Sequence, residues 1–131
     1  MLSIGIKGEE EVPVTQHNTA AALDSGLLAV FATPAMIALM ESTARKSVAP
    51  YLEQGHSTVG TSLNVRHVAA TPIGMKVRCE SELIEVDRKR LLFTVNTYDE
   101  AGLIGTGTHE RYIIENDRFM EKMRAKLSKN Q

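Results

Sequence analysis

Three residues of this chain are of types that move protons or attack carbonyls, and each stands where the local pattern calls for something plainer: Thr33, Glu41 and His67. His67 lies in "VRHVAATP", in line with Thr61, Leu63 and Val65 at every second residue, on what reads as the buried face of a strand. A histidine there is either a hydrogen-bonded core residue or a group that titrates near neutral pH and carries protons. Glu41 follows Met40 in a stretch with helical spacing, and a rotation of roughly 100° per residue puts it beside the apolar stripe rather than opposite it. Its carboxylate either pairs with Arg45 four residues on, the favourable order for such a pair, or faces a pocket. Thr33 precedes Pro34 and reads as a helix N-cap, yet a helix start also gathers backbone N–H groups that favour negative charge, so its hydroxyl could serve cap and substrate alike.

The elements that must position these residues follow from the spacing of apolar side chains. Val12 and Val14 alternate around Pro13, which suits an edge or irregular first strand within Glu10 to Gln16. "HNTAAALDSGLLAV" mixes cap residues, alanines and a glycine and reads as a loop with a short helical turn. From Pro34, the stripe Met36, Leu39, Met40, Thr43, Ala44, Ser47 and Val48 predicts a helix of about four turns that Pro50 ends. After the "LEQGHS" loop come runs of period two. Ser62, Asn64 and Arg66 oppose the face that carries His67. Met75, Val77, Cys79, Ser81 and Leu83 alternate with Lys76, Arg78, Glu80 and Glu82. Leu91, Phe93, Val95 and Thr97 follow, with hairpin turns at Val86 to Arg90 and at "DEAG". A last strand runs from about Leu103 to Ile114, and Asp117 is placed to cap a short amphipathic C-terminal helix.

One long helix between a first strand and a run of antiparallel strands predicts an α+β fold over residues 1–131, with the helix on the buried face of a curved sheet of about five strands. A single helix covers little of such a sheet, so a homodimer or a dimer of dimers is expected. "GTG" at 105 to 107 suggests a place where another backbone or a ligand approaches a strand closely. His17, His56 and His109 read as bystanders in loops or on another strand face.

Composition narrows the function classes. The chain has 131 residues, 43% of them apolar, and a formal charge of −1, so no broad nucleic-acid footprint or polybasic membrane anchor is expected. No secretory leader or membrane span is visible, which points to the cytoplasm. The single cysteine, Cys79, admits no intramolecular disulfide and reads as a small packed hydrophobe. No His/Asp/Glu spacing suggests a metal, and neither a phosphate-binding glycine fingerprint nor G-x-S-x-G occurs.

Taken together, "VFATPAMIALMESTARKSVAPYLEQGHSTVGTSLNVRHVAATPIGMKV" and "GTGTHERYII" resemble the hotdog-fold thioesterases of the fluoroacetyl-coenzyme A thioesterase family, over roughly Val30 to Ile114. The resemblance implies a hotdog fold, a sheet wrapped around a central helix and paired into a dimer. It implies that Thr33, Glu41 and His67 form the catalytic group, that Gly60 of "VGT" lies at the thioester carbonyl, and that Arg111 of "HER" is near the acyl site. Leu27 and Phe31 are expected to bind the acyl group. The specialised member carries aromatic residues just before "VFAT", where this chain has "DSGLLAV" with Leu27 and Leu28, so hydrolysis of small acyl-CoA esters without fluoroacetyl selectivity is the expectation. No cofactor is implied, coenzyme A being part of the substrate. A non-catalytic acyl-CoA-binding hotdog module and a hotdog dehydratase are the competing readings, since fold alone does not fix function.

Overall fold

A computed structural model describes residues 1–129. In chain order the elements are β1 (Lys7–Pro13), α1 (Thr33–Val48) with a 3₁₀ turn at Ala49–Tyr51, β2 (His56–His67), β3 (Lys76–Asp87), β4 (Arg90–Asp99), β5 (Gly102–Glu115) and α2 (Asn116–Lys129). The strands form one antiparallel sheet in the order β1-β3-β4-β5-β2. The α1 stripe lies against its inner face. Met36, Leu39, Met40, Ala44 and Val48 share one buried cluster with Val77, Cys79, Leu83, Leu91, Phe93 and Val95. The alternation read along β3 and β4 is the alternation observed: one face buries its side chains while the other presents Lys76, Glu80 and Glu82 to water. Each fully buried Leu, Met or Phe in this layer contributes about 1.5–3 kcal/mol, so the helix is held by its stripe rather than by its ends. Glu10 on β1 adds a polar tie to the helix, accepting from the Ser42 hydroxyl at 2.8 Å and from Lys46 at 3.2 Å.

Two hairpins join the strands where the turn residues predict them. Asp99 Oδ1 accepts from the Ala101 and Gly102 backbone N–H groups, and Gly102 takes φ +146°, which only glycine adopts without strain. The close approach expected at "GTG" is present. A Cβ on Gly107 would meet the Asn64 carbonyl and the Val65 Cα of β2, and one on Gly105 would meet the Met36 side chain of α1. Glycine at both positions lets β5 lie tight against its neighbours.

The structure corrects three local expectations. The first strand runs from Lys7 to Pro13 rather than from Glu10 to Gln16; Val14 leaves the ladder and packs into the core, where its backbone bonds Met75 and Gly74. Thr33 does not cap α1. Ala32 occupies the N-cap with extended dihedrals and has no side-chain acceptor to offer, while the Thr33 hydroxyl bonds His67 instead. Finally, the Thr61–His67 face of β2 is not a buried face. β2 is an edge strand paired only with β5, and Thr61 and Leu63 are exposed with Val65 and His67 only half-buried. No described helix is long and apolar enough to cross a membrane.

Candidate active site

The candidate residues gather in two clusters. The first joins the start of α1 to the end of β2. Thr33 Oγ1 lies 2.8 Å from His67 Nδ1, and both line an open pocket of about 300 Å³ with Phe31, Val30, Val68 and Ala69. His67 Nε2 is buried without a hydrogen-bond partner. Burial lowers the His67 pKa from its ordinary value; the Ala69 backbone is near enough to oppose the shift, though Nε2 itself makes no hydrogen bond. Burial thus favours the neutral imidazole, whose Nδ1 is placed to accept from the Thr33 hydroxyl. Phe31, 1% exposed, forms a wall of the pocket and is pinned by a backbone bond to Thr71. Leu27 does not line it; its side chain is 94% exposed on the loop before "VFAT".

The second cluster lies between the middle of α1, β2 and β5. Glu41 does not pair with Arg45; among the described residues its ion-pair partner is Arg111, with Arg111 Nη1 3.6 Å from Glu41 Oε2. Opposite them is Gly60, where an ideal Cβ would stand 2.5 Å from Glu41 Oε2, 3.2 Å from His109 Cε1 and 3.4 Å from Arg111 Nη1. Any side chain there would displace the carboxylate. The register slips between Gly60 and Ser62, a bulge that leaves Thr61 unpaired with its hydroxyl on Glu110 at 2.7 Å. Bulges re-aim the backbone near sites of this kind. Arg111 is buried and anchored by three hydrogen bonds: Nε donates to Thr58 Oγ1 at 2.7 Å, Nη2 to the Thr58 carbonyl at 2.8 Å, and Nη1 to His109 Nε2 at 3.0 Å. Burial lowers its pKa, with Glu41 opposing.

His109 is the residue that the sequence reading set aside. It is 0% exposed and sits inside the second cluster, not in a loop or on an outer face. The signal that could have found it is the period of β5, since Gly105, Gly107, His109, Arg111 and Ile113 occupy alternate positions and Ile113 packs against the core. The two glycines hide that alternation from an apolar count.

Within one chain the clusters do not meet. Thr33 and Glu41 are eight residues apart on α1, about 12 Å along the axis. Gly60 and His67 are seven apart on an extended strand, about 23 Å.

A sheet of this order around one long helix, with a carboxylate, a histidine and a hydroxyl on its inner side, is the architecture of the hotdog thioesterases. The family model described as fluoroacetyl-CoA-specific thioesterase matches residues 14–117, most of the chain, and the chain belongs to that family. It is 44% identical over 97 residues to the fluoroacetyl-CoA thioesterase of Streptantibioticus cattleyicolor, covering 74% of this chain and 70% of that one. The crystal structure of the fluoroacetyl-CoA thioesterase FlK superposes with a TM-score of 0.92 at 36% identity, covering 96% of this chain and 98% of that one. An FlK mutant solved in complex with fluoroacetate and CoA superposes with a TM-score of 0.86 at 36% identity, covering 90% of this chain and 99% of that one.

Proposed function

We propose that this protein is an acyl-CoA thioesterase that hydrolyses a small acyl-CoA to the free acid and coenzyme A, as one domain working in a homodimer. The observation that carries the reading is the Thr33–His67 hydrogen bond at the mouth of a pocket, with its Nε2 unsatisfied, in a chain that also holds the Glu41 carboxylate against Gly60. A thioester carbonyl is electrophilic and its thiolate leaves well, so hydrolysis needs an aligned nucleophile, a proton acceptor and donors for the developing oxyanion. In this reading Glu41 takes the proton of an attacking water, or attacks directly to give an anhydride that water then opens. The C–S bond breaks, and in either route the proton released by the water passes to the departing thiolate, His67 and the Thr33 hydroxyl being the groups that carry it once the two clusters meet. Gly60 gives the carbonyl room to approach the backbone. Coenzyme A enters as part of the substrate and we assign no further cofactor or metal. The cytoplasm is the compartment this reading assigns, since the one thiol is free and needs no oxidising environment.

The dimer follows from the edge strand. If β2 pairs with β2 of a second copy in antiparallel register centred between Leu63 and Asn64, Gly60 of one chain faces His67 of its partner, and the two separated clusters become one site. That pairing also covers Leu63 and the open edge. Sedimentation at micromolar concentration should report about twice the chain mass; a fully active monomer would remove the dimer from the proposal.

The proposal is tested with purified protein, a panel of acyl-CoA esters and a thiol-trapping dye. Release of coenzyme A from short acyl esters is the expected result. Saturable binding without thiol release would instead make the protein an acyl-CoA-binding module. Within the panel, kcat/KM for fluoroacetyl-CoA should lie within about two orders of magnitude of that for acetyl-CoA, because one missing or altered small group in an apolar pocket shifts specificity by only ~1–3 kcal/mol and the loop before Phe31 is aliphatic and, at Leu27 and Leu28, exposed. A preference of several orders of magnitude would show that this loop closes over the acyl group in a way its aliphatic side chains do not suggest.

A further inference from the structure

We infer that His109 is a positioning residue for Glu41, acting through Arg111; the role rests on the function proposed above. His109 Nδ1 lies 2.9 Å from the Ser62 carbonyl, and a carbonyl only accepts, so Nδ1 carries the ring proton. Nε2 is then left with a lone pair, which accepts from Arg111 Nη1 at 3.0 Å. The ring is wholly buried, with the Phe93 ring at 6.4 Å between centroids. A histidine in this tautomer does what no apolar residue can: it claims Nη1 of the guanidinium.

That claim decides how Arg111 treats Glu41. Thr58 fixes the Nε and Nη2 edge of the fork, and His109 takes the near proton of Nη1. The carboxylate is left at 3.6 Å, close enough to be oriented by the charge and too far for a short hydrogen bond. With Nε, Nη2 and one Nη1 hydrogen held by Thr58 and His109, the guanidinium keeps a fixed plane and reach, and that fixes where its charge stands relative to the Glu41 carboxylate. His109 thus sets the position of the guanidinium.

The surroundings keep His109 neutral. Burial and the Arg111 charge lower its pKa, while the Ser62 carbonyl and Glu41 oppose the shift. From β5 the charged neighbour is Arg111, and from α1 it is Glu41, with Arg45 acting on the guanidinium; β2 contributes Ser62 and Thr58, and β4 contributes Phe93, all uncharged. A proton on Nε2 would point at the Nη1 hydrogens and break the chain.

Two variants separate positioning from packing because only positioning ranks them in activity. H109Q keeps an acceptor for Nη1 and does not titrate, whereas H109L fills the space and accepts nothing. Positioning predicts that H109Q keeps kcat within about threefold while H109L loses about 10- to 100-fold in kcat at nearly unchanged KM, with melting curves used to express both rates per folded molecule. Packing predicts that activity per folded molecule is the same for both, and that result overturns the inference. In the parent, ¹⁵N NMR should find His109 as the Nδ1–H tautomer; an Nε2–H or doubly protonated ring at neutral pH would also overturn it. Should the parent release no thiol from any acyl-CoA, the proposed function falls and the arginine side chain decides His109 alone. Arg111 Nε–H exchange that is about tenfold faster in H109L than in H109Q keeps the positioning role, and equal exchange in the two ends it.

Discussion

Replacing His67 by alanine should leave a folded protein whose kcat on acyl-CoA is lower by about 10² to 10⁴, the contribution of a positioned proton-transfer group. The folded state should tolerate the change because His67 is half-buried at a pocket rim and its Nε2 already lacks a partner, so the imidazole stabilises little. A purely structural His67 makes the opposite forecast, a loss on the order of 1–3 kcal/mol in stability with turnover per folded molecule unchanged. Melting curves and single-substrate kinetics on the same preparation distinguish the two. The pH dependence has a definite sign. Burial lowers the folded-state pKa of His67 and of His109, so between the ordinary value near 6.5 and those lowered values the unfolded chain binds more protons than the folded one. Stability therefore falls as pH drops below about 6.5 and levels off once the folded rings are protonated. Activity that requires a neutral imidazole falls over the lower part of the same range. In His67→Ala the acid loss of stability should be shallower than in the parent, as urea midpoints at pH 5 and pH 7 would record.

Glu41→Gln should be as damaging to turnover and kinder to the fold. The amide keeps the volume and can still accept from Arg111, but it neither takes a proton from water nor attacks a carbonyl, so kcat should fall by about 10² to 10⁴. The carboxylate is 40% exposed and faces a guanidinium already satisfied by Thr58 and His109, so removing its charge costs the fold little. Hydrolysis at close to the parent rate by a folded Glu41→Gln protein would end the mechanism. Gly60→Ala probes the same carboxylate from the other side, since the added methyl must push Oε2 away. A single turnover in ¹⁸O water that labels Glu41 marks the nucleophilic route with the anhydride opened at the Glu41 carbonyl, which a general base cannot produce.

What could be read ahead of the structure was governed by how each element divides its faces. β3 and β4 lie inside the sheet with one face on α1 and one in water, so their alternation was unambiguous, and the α1 stripe was fixed by the same burial. β2 was misjudged for a physical reason. Its apolar period is real, but one chain leaves it as an edge, and a pattern suited to burial against a second copy looks identical to one suited to an internal core. At β1 a proline and two valines obscured the true start, which is set by pairing with β3 rather than by hydrophobicity. The chemistry-bearing residues were visible as misfits: Glu41 beside its stripe, His67 on a strand, Thr33 before Pro34. Their division into two clusters was not visible, since distances along α1 and β2 matter only once the pairing of β2 with β5 is known. His109 escaped because a buried polar chain is recognised by its partners, and Ser62, Thr58 and Arg111 come together only through that same pairing.

Cys79 lies in the middle of β3, 0% exposed, with burial pushing its thiol up to about 11. As the only sulfhydryl of the chain, it is sealed and protonated at neutral pH, so reagents that count liberated coenzyme A read the substrate and not the protein. The same seclusion turns it into a clock for the molecule's breathing. β3 is flanked by strands on both sides and roofed by α1, so a disulfide reagent reaches the sulfur only when that central layer parts. The rate of its labelling, followed without substrate, therefore measures how often the sheet opens, on a chain that needs no engineered cysteine to report it.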